Sequence, residues 1–332
     1  MEPEIRHIPV LAEEAVGLLQ PRPGRVYLDA TVGLGGHAHL LLTQAPGATL
    51  VGVDQDLQAL RLAAQRLGAP GPAQGWFEDS SSLHFLARGQ SPVWLFHMNY
   101  AQVDQALQEA GIAQLDGALF DLGVSSLQLD DETRGFTYRQ DVPLDMRMDQ
   151  TQPLTAREIV NTWPEAELAR ILRDYGEEHW ARRIARFICT ARRKAPLETS
   201  GQLVEVVKAA IPAAARRHGG HPARRTFQAL RMAVNHELEN LDSALHVVAE
   251  RLTLGGRLVV ISFHSLEDRL VKDFLRQQSG ICTCPPGLPE CRCGRVQRMI
   301  LLTRHPLEPG EVEVEFNRRA RSAHLRAAMR VS

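Results

Sequence analysis

Apolar residues follow two rhythms along this chain. Arg25-Val-Tyr-Leu-Asp29, Ala48-Thr-Leu-Val-Gly-Val-Asp54, Pro92-Val-Trp-Leu-Phe-His97 and Asp116-Gly-Ala-Leu-Phe-Asp121 are short apolar runs that predict buried strands. Between the first two, Gly33 to Gly36 make a turn and His37 to Thr43 begin a helix; Leu57 to Leu67 then repeat apolar residues at helical spacing. Strands alternating with helices imply a parallel sheet with helices on both faces. From about Thr155 to Ile211 the strand rhythm stops. Trp163-Pro164-Glu165 reads as a helix start with proline at the first position, and Leu168, Ile171, Leu172 and Tyr175 mark its apolar face. A second helix is expected over about Glu177 to Arg193, and Thr199 or Ser200 offers a cap for a third. After the basic stretch Arg216 to Arg225, Thr226 to Leu252 read as helical. Gly255-Gly256 read as the end of that helix, and Arg257-Leu-Val-Val-Ile-Ser-Phe263 as a further buried strand.

The pattern predicts a doubly wound, Rossmann-like α/β domain made of residues 1–136 and 226–332, interrupted by an all-helical domain over 137–225. The Gly-, Pro- and Ser-rich stretch Gly68 to Gln90 reads as a surface excursion.

Composition narrows the setting. No apolar run approaches the roughly 20 residues of a spanning helix, and Glu13 and Glu14 break the N-terminal apolar stretch, so neither an anchor nor a signal peptide is expected. Five cysteines without an export signal point to reduced thiols in a cytoplasm. The net charge of −1 conceals a split: residues 1–136 hold 16 acidic and 7 basic side chains, and the remainder 23 and 31. A basic half suggests a face for a polyanion, although solvated helix surface gives the same count.

Candidate chemistry centres on Asp29-Ala-Thr-Val-Gly33-Leu-Gly35-Gly36-His37. A glycine turn after a first strand lets backbone approach a ligand and opens a helix N-terminus. Asp54, ending the second strand, is placed to bind ribose hydroxyls. Gly33-x-Gly35-x-x-Ala38 alone also fits a dinucleotide fingerprint, so the loop does not choose between NAD and S-adenosylmethionine. The fourth strand ends in Asp121-Leu-Gly123-Val-Ser-Ser126, followed by Gln128. Amino methyltransferases put a polar residue at this edge. There an acceptor favours the pyramidal form of a delocalised amine, and alignment supplies much of the rest without metal or covalent nucleophile. An Asp that only organises its loop is the plainer reading.

Eight segments carry a resemblance: HxPVLxxEA at His7 to Ala15, GxGGH at Gly33 to His37, DLGVSSxQLDDxxRGF at Asp121 to Phe136, PLDMRMD at Pro143 to Asp149, YGEE at Tyr175 to Glu178, RTFQALRxxVNxELxxL at Arg225 to Leu241, GGRLxxISFHSLEDRxVK at Gly255 to Lys272 and NRRARSAxLR at Asn317 to Arg326. Nearly end to end and in order, the chain resembles the MraW family of bacterial 16S ribosomal RNA cytosine-N4 methyltransferases. The resemblance implies a class I methyltransferase fold with a helical insert. It also implies S-adenosylmethionine as cofactor and a cytidine in the decoding region of 16S rRNA, in the small subunit or its precursor, as substrate. Cofactor contacts are implied at Gly35, Gly36, His37, Asp54, Tyr100, Asp121 and Gln128.

Other constellations stay open. His264, after the fifth buried strand, is a candidate beside Asp121 for base orientation or proton transfer, or it merely bonds nearby backbone. Arg134, Asp141, Asp145 and Arg147 line a cleft or form a structural clasp. Arg224, Arg225, Arg318, Arg319 and Arg321 are the candidate phosphate contacts. Cys282, Cys284, Cys291 and Cys293 form a C-x-C pair of pairs, tighter than the usual zinc spacing, so no metal is expected. An RNA-binding assembly factor without catalysis and a DNA amino methyltransferase are the competing classes. The latter usually carries Asx-Pro-Pro-aromatic where this chain has Asp-Leu-Gly-Val.

Overall fold

The computed structural model describes residues 9–71, 76–77, 81–87, 89–217, 220–282 and 296–332, with the side chain of residue 217 excepted. The chain divides into two compact units, Met1–Gly123 with Leu238–Ser332 and Val124–Glu237. These breaks stand beside expected ones near 136 and 226.

The first unit begins with α1 (Ala12–Leu19), β1 (Val26–Asp29), α2 (Gly36–Gln44), β2 (Thr49–Asp54), α3 (Leu57–Leu67), β3 (Ser82–Ala87), β4 (Ser91–His97), α4 (Val103–Glu109) and β5 (Leu115–Asp121). The second unit holds α5 (Ser126–Asp130), α6 (Ala156–Thr162), α7 (Glu165–Asp174), α8 (Ala181–Arg192), α9 (Ser200–Ala210) and α10 (Arg224–Asn235). The chain continues through α11 (Glu237–Arg251), β6 (Leu252–Ser262), α12 (Ser265–Gln278), β7 (Met299–Leu301), α13 (Glu311–Phe316) and β8 (His324–Arg330).

The eight strands form one sheet in the order β3-β4-β2-β1-β5-β6-β8-β7. β4, β2, β1, β5 and β6 run parallel; β3 at one edge and β8 and β7 at the other are antiparallel. Alternate side chains of the parallel strands enter different cores, which is why these strands read as continuous apolar runs. Tyr27, Leu50 and Leu95 pack with Val16, Leu41 and Leu60 of α1 to α3. Leu28, Val51 and Phe120 pack with Leu107, Leu245 and Phe274 of α4, α11 and α12. Gly52 is required by the pleat: a Cβ there would lie 2.5 Å from Val32 Cγ2 and 2.6 Å from Leu95 Cδ2.

In the second unit Ile171, Leu172, Ile184, Ile188, Leu203, Phe227 and Leu230 form one helical core, and no strand runs between Thr155 and Ile211. Thr199 caps α9 through a reciprocal box with Gln202.

Several element boundaries differ from the expected ones. Pro164 is the cap of α7 rather than its first residue, and α8 starts at Ala181 because Glu177 holds a left-handed φ of 48°. The helix expected over Thr226 to Leu252 is two helices, broken where His236 adopts φ 50°. Gly255-Gly256 lie inside β6 instead of ending a helix. The 68–90 excursion contributes β3, which pairs antiparallel with β4; residues 72–75, 78–80 and 88 of it lie outside the described residues.

Candidate active site

The carboxyl ends of the parallel strands gather the acidic candidates. Asp29 ends β1, Asp54 ends β2, His97 ends β4 and Asp121 ends β5, and Asp121 is in register with Ile261 of β6. Side chains between neighbouring ends lace this edge. Asn99 donates to Gln55 Oε1 at 2.8 Å, His97 Nε2 lies 3.2 Å from the Gln55 carbonyl, and Met98 N–H donates to Asp54 O at 3.0 Å.

The glycine loop folds over Asp54. Gly33 N–H donates to Asp54 Oδ2 at 2.7 Å, and Asp56 N–H donates to Oδ1 at 2.8 Å. Burial pushes the Asp54 carboxyl up to about 6, against those backbone donors. Gly35 sits at φ 74°, and a Cβ there would stand 3.2 Å from Ala63 Cα. Gly35 also caps α2 without a side chain, so the N–H groups of Gly36, His37 and Ala38 face outward from the ladder with no partner among the described residues. An uncapped helix start with glycine on either side is a cradle for an anionic group.

His37 is buried, and its ring is engaged: Nε2 donates to the Val10 carbonyl at 2.9 Å. Nδ1 then carries the lone pair, 3.6 Å from Asp121 Oδ2. Burial lowers the His37 pKa, with Asp29 opposing. Asp29, fully enclosed, is pushed up to about 7 by burial, partly offset by His37. Asp121 is pushed up to about 7 by burial and then by the Glu267 charge. Its side chain stays 19% exposed while Oδ1 is enclosed without a hydrogen-bond partner; Asp29 Oδ2 is likewise unpartnered. Thr31 holds this corner by donating its N–H to Asp29 Oδ1 at 3.2 Å and accepting the Asp121 N–H at 2.6 Å.

His264 caps α12. Its Nδ1 accepts from Glu267 N–H at 3.4 Å, and its Nε2 stands 3.1 Å from Glu267 Oε1, off the line of a hydrogen bond. The other Glu267 oxygen accepts the Phe263 N–H at 2.9 Å. The sequence places Asp29 and Thr31 in the glycine-loop segment but assigns them no role, and it gives none to Glu267. The signals were present: an acid closing β1, and the His-x-x-Glu spacing of a capped first turn.

The remaining candidates are spread out. Tyr100 lies in a 3-10 turn capped by Asn99, its ring edge-on to Phe120 at 6.0 Å. Gln128 lies in the second unit, buried, where its Oε1 accepts the Ser125 N–H at 3.0 Å to close a capping box. Arg134 is buried there and donates to the Arg147 and Met148 carbonyls; Arg147 grips Asp145, and Asp141 accepts the Gly201 N–H. That set is a structural clasp. Arg224 and Arg225 are exposed at the start of α10, whose first turn carries no acidic residue. Arg318, Arg319 and Arg321 are exposed on a 3-10 turn around buried Ala320. Cys284, Cys291 and Cys293 of the thiol cluster, and His7, lie outside the described residues. No helix among the described residues is long and apolar enough to cross a membrane.

Comparison with known proteins gives a match to the MraW methylase family over residues 4–331. The ribosomal RNA small subunit methyltransferase H of Symbiobacterium thermophilum is 51% identical, covering 98% of this chain and 96% of its own. The protein of the same name from Heliobacterium modesticaldum is 49% identical over 98% of each chain. Among solved structures, an rRNA methylase from Streptococcus thermophilus aligns with a TM-score of 0.41 and 11% identity over 97% of this chain and 94% of that one.

Proposed function

The chain belongs to the MraW methylase family, and from that premise we propose that it transfers a methyl group from S-adenosylmethionine to the exocyclic N4 amine of a cytidine in the decoding region of 16S rRNA. The observation that carries this reading is Asp121. It ends a central strand with one enclosed, unpartnered carboxylate oxygen, beside a glycine loop that leaves three N–H groups open. Relatives about half identical over nearly their whole length are named for methylation of small-subunit ribosomal RNA, which supports the substrate class.

Residues of this chain fit the cofactor. The open N–H groups of Gly36, His37 and Ala38 suit its carboxylate, with Gly35 permitting the approach. Asp54 keeps lone-pair capacity for ribose hydroxyls. Tyr100 and Gln128 remain candidate contacts. The cofactor supplies an electrophilic methyl group on a sulfonium. The Asp121 carboxylate, part-exposed at the strand edge, accepts an amine N–H, favours the pyramidal nitrogen and takes the proton that the amine sheds; the charge it needs is present above about pH 7. His264 acts as a positioning residue, holding Glu267 beside Asp121 through the first turn of α12. The helical unit and the exposed arginines Arg224, Arg225, Arg318, Arg319 and Arg321 hold RNA, in the small subunit or its precursor, in a cytoplasmic setting.

Calorimetry on the purified protein tests the cofactor assignment. S-adenosylmethionine and its demethylated product are expected to bind, NADH is not, and Asp54→Ala is expected to weaken binding at least tenfold. Preferential NADH binding would overturn the class, and unchanged affinity in Asp54→Ala would remove Asp54 from the site.

A further inference from the structure

In the first unit, α12, β7, β8 and the adjoining Ile281, Thr303 and Arg304 line a half-open cavity of about 260 Å³. Lys272, Arg276, Arg304 and Arg326 bring four cations to its wall. Lys272 and Arg276 sit one turn apart on α12, a like-charge spacing that weakens a helix unless an anion lies between. Lys272, Arg276 and Arg304 make no salt bridge among the described residues. Arg326 is buried and held by Asp268, which accepts from Nε at 2.7 Å and from Nη2 at 3.0 Å. Both oxygens of that carboxylate are engaged. Burial raises its pKa, but the Arg326 hydrogen bond and the charges of Arg326, His324 and Lys272 hold it below the usual range. Thr303 adds a hydroxyl. Its oxygen accepts the Ala327 N–H at 3.0 Å, which leaves the proton to donate. Leu275, Ile281 and Leu301 supply apolar wall.

We propose that this cavity is a nucleotide subsite, in which the cations and Thr303 take a backbone phosphate of the RNA substrate and the apolar wall receives the adjoining sugar or base. The assignment rests on the rRNA reading above. Arg326 keeps only its Nη1–H groups for a phosphate, since Nε and Nη2 are taken by Asp268, and Lys272, Arg276 and Arg304 supply the cations that release bound counterions when they meet RNA. The site lies on the same helix that His264 caps, roughly 12 Å from His264 to Lys272 at 1.5 Å per residue. It thus suits a residue of the same strand a short way from the target cytidine.

The test is the combined Lys272→Gln, Arg276→Gln, Arg304→Gln variant, none of whose positions belongs to the cofactor edge. Affinity for a decoding-region 16S rRNA fragment is measured across a salt series, with the dissociation constant for S-adenosylmethionine as the check on folding. The expected result is at least a tenfold loss of RNA affinity at low salt and a log–log salt slope flatter by about two units, with cofactor affinity within about twofold of wild type. RNA affinity and slope equal to wild type would overturn the proposal. Calorimetric AMP binding that the variant abolishes, beside unchanged RNA affinity, would assign the cavity to a free nucleotide and overturn it too. If the triple variant loses cofactor binding, Lys272→Gln and Arg304→Gln singly carry the same comparison. Wild-type protein that binds the fragment yet methylates none refutes the catalytic reading, while the salt slopes still decide the cavity.

Discussion

Three carboxyls end three adjacent strands, and burial raises each of them: Asp29 to about 7, Asp54 to about 6 and Asp121 to about 7. A carboxyl raised in the folded state binds more protons folded than unfolded between about pH 4 and its folded value. Its contribution to stability is complete below about pH 4 and is lost as the pH rises through the folded value. Asp121→Asn removes that dependence at one position. It is expected to gain on the order of 1–2 kcal/mol relative to wild type between pH 5 and pH 8, read from urea melts at both values. A stability gap that stays flat with pH would show that Asp121 is not strained in the folded protein. Asp54 and Asp121 were legible in the sequence because strand-end position alone marks them. Asp29 ends its strand in the same way, but its enclosure, like that of Glu267, is set by tertiary packing. At His37, expected as a cofactor contact, Nε2 of the ring serves the Val10 carbonyl while the backbone N–H stays open.

Elements were legible where the apolar period was strong and local. α3 spans the Leu57–Leu67 that its spacing marks, and β2, β4 and β5 fall on their apolar runs. The losses have physical causes. α10 and α11 share one uninterrupted helical pattern, and the break at His236 is a single left-handed residue that no glycine announces. β6 begins before its apolar run because Leu252 pairs with Leu115 across a register shift, carrying Gly255-Gly256 inside the strand. β3 is a hairpin partner of the strand that follows it, Ala87 meeting Ser91, but its own apolar pattern is weak; the pairing of β8 is long-range, His324 meeting Ser262. Nothing in the composition of β8 fixes that partner.

At the scale of the molecule, charge and chemistry separate along the chain. The acidic first 136 residues carry Asp29, Asp54 and Asp121, and the basic remainder carries every arginine assigned to phosphate. Arg318, Arg319 and Arg321 ring a buried alanine, so the turn is held by Ala320 while the guanidinium groups stay exposed. Arg318→Ala with Arg321→Ala is therefore expected to weaken rRNA binding and flatten its salt slope by about one unit per lost contact. Cofactor affinity should stay nearly unchanged. Normal RNA binding by this variant at both low and high salt would make the segment structural.

The destination of the methyl group decides the assignment. Small-subunit particles lacking the modification are incubated with the protein and methyl-labelled S-adenosylmethionine, and the nucleosides of the digested 16S rRNA are separated and identified by mass. Label is expected in N4-methylcytidine from the decoding region, at a rate about 10²- to 10⁴-fold lower with Asp121→Asn. Label in any other nucleoside, or none from protein that binds the cofactor and the particle, would contradict it.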